Sequence, residues 1–172
     1  MAVALREQRA MVGPEAIAER PNGTRVRFIP HPTPLFGRDG RLVSMVNMLV
    51  DITARHEAEF QSAHLAAIVE SSNDAIISKS LEGKVYSWNA GAERLFGYKA
   101  EEMIGQPINR IIPEELHQEE KQILARLQHG ERIESFETIR LAKHGHGIAV
   151  SVTISPVRDK SGRITGASTV AR

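Results

Sequence analysis

The stretch SWNAGAERLFGYKAEEMIGQPINRIIPEE, residues 87–115, alternates short helical runs with the signals that stop them. Asn89 is placed to cap a helix, Ala90 to Phe96 supplies one or two turns, and Gly97 ends them. A second short helix follows from Tyr98 to Ile104 and closes at Gly105. Upstream, Ile68 to Ile77 reads as a helix end feeding a short strand. Ser71-Ser72-Asn73-Asp74 makes the break, because these residues favour caps and turns over helix interiors. Leu81-Glu82-Gly83 then turns the chain into a second strand, Lys84 to Trp88.

Downstream the pattern changes period. Ile148, Val150, Val152 and Ile154 alternate with Ala149, Ser151, Thr153 and Ser155, which marks a strand with one buried face. Turns at Lys143-His144-Gly145 and Lys160-Ser161-Gly162 make the segment an antiparallel meander. The meander has a counterpart in the same chain: at an offset of 122 residues, Leu5–Val50 lies on Leu127–Arg172 without a gap. Leu5, Glu15, Ile17, Gly23, Pro34, Gly40 and Arg41 meet identical residues, several of them turn glycines or strand positions. The first copy therefore predicts a strand, a turn at Asn22-Gly23, a long strand, a turn at Arg38-Asp39-Gly40 and a final strand.

Residues 87–115, together with FETIRLAKHGHGIAVSVTISPVRDKSGRITGAS at 136–168, resemble a bacterial PAS domain of the sensor-kinase type, over about Leu65 to Arg172. GTRVRFIPHPTPLFGRDGRLVSMVNMLVDIT, residues 23–53, is similar to the last three strands of another PAS domain, and Asp51-Ile52-Thr53 to the family's exit motif. The resemblance implies an α+β fold: a five-stranded antiparallel sheet with short helices on one face, joined by a helix to a partial PAS sheet. The expected organisation is the C-terminal part of a truncated PAS domain at 1–53, a connecting helix at 54–70 and a PAS domain at 71–172. A three-stranded sheet alone leaves an apolar face and an edge open, so pairing with another chain or a disordered start is expected there. The second copy stops one residue before the position equivalent to Asp51.

The connecting helix is read from a run without Gly or Pro between Asp51 and Val69, with Phe60, Ala63, Ala67 and Val69 on one stripe and Arg55, Glu57, Glu59 and Gln61 toward solvent. Two such stripes can pack as a parallel pair, so a homodimer is expected, with Asp51, Ile52, Thr53, Phe60, Ala63 and Ala67 as relay and dimer residues.

Composition removes several functions. With 22 basic and 21 acidic residues the formal charge is +1, too little for attraction to nucleic acid or an anionic membrane over the whole surface. The absence of cysteine excludes disulfides, thiolate zinc sites and cysteine nucleophiles. No apolar run of leader or membrane-spanning length is present, which predicts a cytoplasmic protein without membrane insertion. No phosphate-binding glycine loop, Gly-x-Ser-x-Gly elbow or ATP-binding kinase domain occurs, so this segment is expected to be non-catalytic.

Cofactors are weighed through the resemblance. Oxygen-sensing relatives hold haem by a histidine on the long helix, about seven residues after the proline that begins it. Here Pro113 begins that helix and the equivalent residue is Glu120, with His117 on a different azimuth and expected to be solvated. Haem is therefore disfavoured. Blue-light relatives carry a reactive cysteine where this chain has Ile108, which disfavours covalent flavin. His31, His144 and His146 read as solvated turn or strand residues in preference to a metal site, and Glu114, Glu115, Glu119 and Glu120 as helix stabilisers near a positive helix end.

An unidentified small ligand stays open. Its candidate lining is Ile77, Trp88, Phe96, Ile104, Ile111, Ile112, Phe136 and Val150, against the alternative that these side chains only pack the core. The implied function is a sensory module of a larger bacterial signalling protein, a two-component histidine kinase being the first reading. A dimerisation module without a ligand, or part of a diguanylate cyclase or transcriptional regulator, is the alternative. Adjacent signalling domains of the same protein are the expected partners.

Overall fold

A computed structural model describes residues 6–172, and the chain divides into two units, 1–64 and 65–172. The first unit contains a sheet of three antiparallel strands in the order β1, β2, β3: β1 is Ala16–Glu19, β2 is Arg25–Phe36 and β3 is Leu42–Asp51. Asn22 closes the first hairpin by accepting from the amide and hydroxyl of Thr24, while Gly23 takes a φ of +80° that a side chain would resist. Pro30, Pro32 and Pro34 are tolerated in the central strand because β1 pairs only as far as Phe28. Beyond that point Pro30 and Pro32 only accept on that side, their carbonyls taking the amides of Gly13 at 2.7 Å and Met11 at 3.2 Å, so a missing N–H breaks no ladder. The sheet leaves Ile17, Val43, Val46, Met48 and Leu49 more than half exposed, the open apolar surface expected of three strands alone.

Helix α1, Thr53–Ser71, buries none of its residues. It begins two residues after Asp51 and ends one beyond the expected limit, within the ordinary fraying of helix ends.

The second unit contains β4 (Ala75–Lys79), β5 (Val85–Trp88), α2 (Ala90–Phe96), α3 (Ala100–Met103), α4 (His117–Gln128), β6 (Ile133–Leu141), β7 (Gly147–Arg158) and β8 (Ile164–Ala171). Its five strands lie in the order β5, β4, β8, β7, β6, every neighbour antiparallel. Alternation along the strands sends Ala75, Ile77 and Lys79 inward from β4, and Val150, Val152 and Ile154 inward from β7. Phe96, Met103, Ile123 and Leu127 from the helical segments complete the core. Each large side chain so buried contributes roughly 1.5–3 kcal/mol. Gly91 and Gly166 mark two backbone crossings: a Cβ at either would fall inside the van der Waals envelope of a carbonyl oxygen, that of Asp74 or of Lys79.

The internal repeat reappears in the strands themselves. Residues 25–36 and 147–158 are strands of identical bounds under the 122-residue offset. Both carry a register shift at the same place, between Leu35 and Phe36 and between Val157 and Arg158. Leu5, the first identity of the repeat, lies outside the described residues, as do residues 1–5 of the expected first domain.

One helix boundary corrects the sequence reading. Pro113 does not begin the long helix; a 3-10 turn, Glu114–Leu116, intervenes and α4 starts at His117. The His117 ring consequently folds back, with Nε2 3.0 Å from the Ile112 carbonyl, and is half-buried instead of solvated.

Candidate functional site

The second unit encloses a cavity of about 20 Å³ between its sheet and its helices. Ile77, Phe96, Ile108, Ile111, Ile112, Val152, Ile154 and Ala171 form the apolar wall, and Lys79, Glu120, Arg140 and Thr169 the polar one. Strand alternation delivers Lys79 two residues beyond Ile77, and Thr169 between Ala167 and Ala171. Glu120 comes from the face of α4 that also buries Ile123, Leu124 and Leu127.

Lys79 Nζ donates to Glu120 Oε1, and both side chains are 2% exposed. Burial pulls the Lys79 pKa below the ordinary lysine value, while the Glu120 carboxylate works against that shift. Arg140 is 7% exposed, and burial likewise lowers its pKa against the opposing field of Glu120 and Glu119. Its Nη1 donates to Thr138 Oγ1 at 2.9 Å and to the Ile139 carbonyl at 3.0 Å. Glu120 Oε2 and Thr169 Oγ1 are buried without a hydrogen-bond partner in the protein.

Of the eight proposed lining residues, Ile77, Phe96, Ile111 and Ile112 face this cavity. Trp88 stands behind it, 5.5 Å from the Phe96 ring between centroids, with its indole N–H donated to the Tyr98 carbonyl at 3.1 Å. Val150 is buried in the same core without reaching the cavity. Trp88 and Val150 thus fall outside the expected lining, and two further positions leave it altogether. Ile104 is half exposed, because it caps α3 and turns outward in an extended conformation after Met103 has taken the inward place. Phe136 is half-buried in an open groove of about 420 Å³ lined also by Glu119, Gln122, Ile123, Arg126, Ile133 and Glu134. The register shift between Ile133 and Phe136 redirects it.

The sequence reading missed Lys79, Glu120, Arg140 and Thr169. Glu120, read from the sequence as a helix stabiliser near a positive helix end, is instead buried and ion-paired. Its spacing of three, four and seven residues from Ile123, Leu124 and Leu127 places it on the core face, a signal that could have found it. Among the described residues no group of His, Cys, Asp or Glu has the arrangement of a metal site.

A second cluster joins helix α1 to the sheet. Asn89 caps α2 by accepting from Ala92 N at 2.9 Å and also accepts from Ile76 N at 2.8 Å. Its amide donates to the carbonyls of Val69 at 2.8 Å and Asp74 at 3.0 Å. Arg94 donates to the Ser72 carbonyl, and Arg172 Nε donates to Asp74 Oδ2 at 2.9 Å. At the other end of α1, Asp51 Oδ1 accepts from Thr53 N and Thr53 Oγ1 accepts from Arg27 N, both at 2.9 Å, with Ile52 N donating to the Arg27 carbonyl. Phe60, Ala63 and Ala67 are exposed along the helix, the Phe60 ring stacked on His64.

A family model for the PAS fold matches residues 63–172. The chain belongs to the PAS family of sensory and signalling modules, and the PAS domain itself is non-catalytic. Among solved structures it is similar to the PAS domain of a protein from Colwellia psychrerythraea, with 26% identity, a TM-score of 0.59, and 65% of this chain and 95% of that one covered. It also resembles a domain of the sensory box sensor histidine kinase/response regulator from Geobacter sulfurreducens, at 21% identity and a TM-score of 0.57, covering 67% and 96%. A light-oxygen-voltage domain described with a flavin analogue shares 16% identity at a TM-score of 0.54, covering 63% and 83%. The last two likenesses show the fold alone. No helix among the described residues is long and apolar enough to cross a membrane.

Proposed function

We propose that this chain is the sensory region of a larger bacterial signalling protein, in which occupancy of the core cavity is relayed through α1 and through the chain beyond Arg172. The observation that carries the reading is the Asn89 cluster. One buried side chain holds the last turn of α1, the start of β4 and the cap of α2 together, so a shift of the sheet or of α2 is felt by the helix. Such coupling needs an element with two arrangements that a ligand binds unequally.

A two-component histidine kinase is the output we favour, on the likeness to the Geobacter sensor kinase domain. Residues 1–53 are read as the last strands of a preceding PAS domain, on the shared strand bounds and register shift. Phe60, Leu65 and Ile68, each more than half exposed on a helix with no buried residue, support α1 as the contact of a homodimer. In this reading the module works in the cytoplasm without nucleic acid, haem or covalent flavin. The smallness of the cavity favours a second reading, an interaction module whose core is filled by its own side chains.

Native mass spectrometry of freshly purified protein, beside its denatured mass, separates the two. A mass increment seen only in the native state supports the small-molecule sensor. A bare dimer supports the interaction module, and a bare monomer sinks both the relay helix and the ligand.

A further inference from the structure

The outer edge of the second sheet and helix α4 leave a trough between them. β6 is the last strand in the order and pairs only with β7, so every second residue of it turns its N–H and C=O away from the sheet. Two open grooves follow this edge in succession, one of about 420 Å³ at Ile133, Glu134 and Phe136 and one of about 430 Å³ at Glu137, Thr138 and Ile139, and Glu119 of α4 borders both. Together they run along residues 133–139, roughly 20 Å at ~3.3 Å per residue.

The trough is apolar at its floor and acidic at its rim. Leu116, Ile123, Ile133 and Phe136 form the floor, and Ile139 stands 52% exposed at one end. Glu115, Glu119, Glu134 and Glu137 are exposed along the rim, and among the described residues none of the four lies in an ion pair. Arg126, the one cation among the lining residues, is turned to Glu131 at 2.7 Å. The buried Arg140 takes part of the field of Glu119, which leaves Glu115, Glu134 and Glu137 to face solvent. This combination selects among occupants. Free main-chain donors and acceptors beside an apolar floor suit an extended segment that continues the sheet. A second copy of β6 would bring like charges together, since β6 itself carries Glu134 and Glu137. A segment with basic side chains meets the rim with opposite charge.

We propose that the trough between α4 and the β6 edge docks an extended segment of a partner protein in which basic and apolar residues alternate. An added strand sends successive side chains to opposite faces of the sheet. One set rests on Leu116 and Phe136 in the trough, and the other reaches the carboxylates of Glu134 and Glu137. The trough is separate from the core cavity and from α1, so the proposal holds whether or not the module senses a small molecule.

The test is fluorescence anisotropy of the whole chain with a labelled peptide, Lys-Val-Lys-Ile-Lys-Val-Lys, beside a peptide of the same composition with its lysines in one block. The alternating peptide should bind about tenfold more tightly, because only alternation puts charge and apolar surface on opposite sides of an added strand. Glu134→Gln with Glu137→Gln should weaken it several-fold, and so should raising the salt from about 0.05 to 0.5 M. Both substituted side chains are exposed, so the variant should keep its fold, which far-ultraviolet circular dichroism checks. Hydrogen exchange locates the complex: amides within residues 133–139 should slow when the alternating peptide is bound. Equal binding of the two peptides would reduce the trough to a patch of charge and overturn the proposal. So would slowing at β3 or β5 in place of β6, or no binding up to about 1 mM. Slowing at 133–139 that grows with protein concentration in the absence of peptide would give the edge to a second copy and overturn the basic partner.

Discussion

The side-chain amide of Asn89 donates to the main-chain carbonyl of Val69 at 2.8 Å, across twenty residues of sequence. Val69 lies in the last turn of α1, whose carbonyls have no partner within the helix, and Asn89 is 3% exposed at the start of α2. The helix is therefore anchored to the sensor domain by a buried hydrogen bond and not by apolar packing, since none of its side chains is buried.

Replacing Asn89 by alanine removes the α2 cap, leaves Ile76 N–H and Asp74 C=O in need of partners, and leaves Val69 C=O with only the long bond from Ser72 N at 3.3 Å. The expected loss is on the order of 3 kcal/mol in chemical denaturation, with faster hydrogen exchange at residues 65–72. Asn89→Asp keeps the accepting oxygen but not the donor, and should fall between. An alanine variant with unchanged stability and exchange would show that the junction is held elsewhere.

Lys79 and Glu120 should be far from additive. Lys79→Met alone strands a buried carboxylate and should cost about 3–5 kcal/mol, whereas Lys79→Met with Glu120→Leu should recover most of that loss. The check is a double-mutant cycle by urea unfolding. Equal and additive losses would mean that the pair interacts little.

Gly91→Ala places a methyl group against the carbonyl of Asp74, where β4 begins. The strand and α2 must separate, and a drop in stability of roughly 1–3 kcal/mol is expected from overpacking. The equivalent change at Gly145, where a Cβ would meet nothing but φ is +81°, should cost about 1 kcal/mol through backbone strain alone. Thermal unfolding of the two variants side by side gives the ordering, and a Gly91→Ala protein as stable as the parent contradicts it.

If α1 pairs with a second copy, Phe60→Glu together with Leu65→Glu should shift sedimentation from dimer to monomer without changing the far-ultraviolet circular dichroism. Both side chains are more than 60% exposed, so the substitutions should not disturb either unit. A parent protein that sediments as a monomer at tens of micromolar removes α1 as the contact.

Acid should weaken the surface pair of Glu102 and Lys143, 2.5 Å apart. The hydrogen bond from Lys143 is the largest cause holding the Glu102 pKa below the ordinary glutamate value, followed by the Lys99 amide. A depressed carboxyl stabilises the fold fully above its unfolded pKa of about 4.3, and the contribution is lost as pH falls through the lower folded value. The Tm of the parent should exceed that of Glu102→Gln at pH 7, and the gap should narrow as pH falls below the unfolded value and close once the lower folded value is passed. A gap that does not narrow as the pH is lowered would assign the difference to something other than this titration.

Much of the fold was legible because its local signals agree. The turn glycines, the Asn89 cap and the period of two in residues 148–154 each demand one local geometry, and in this chain neighbouring demands do not conflict. The interior was less legible. Ile104 and Ile111 carry the same side chain, yet one is half exposed and the other 2% exposed, because the direction of a residue after a short helix depends on how the chain leaves it. The four polar cavity residues escaped notice because charge in sequence reads as surface.

The sequence by itself determined the strands, the turns, the repeat and the family, since these follow from steric and periodic preferences of neighbouring residues. Only the tertiary structure decided that Lys79, Glu120, Arg140 and Thr169 share one cavity. They come from β4, α4, β6 and β8, up to ninety residues apart, and whether a charge is paired or stranded depends on what folding places within a few ångströms of it, which no local preference encodes.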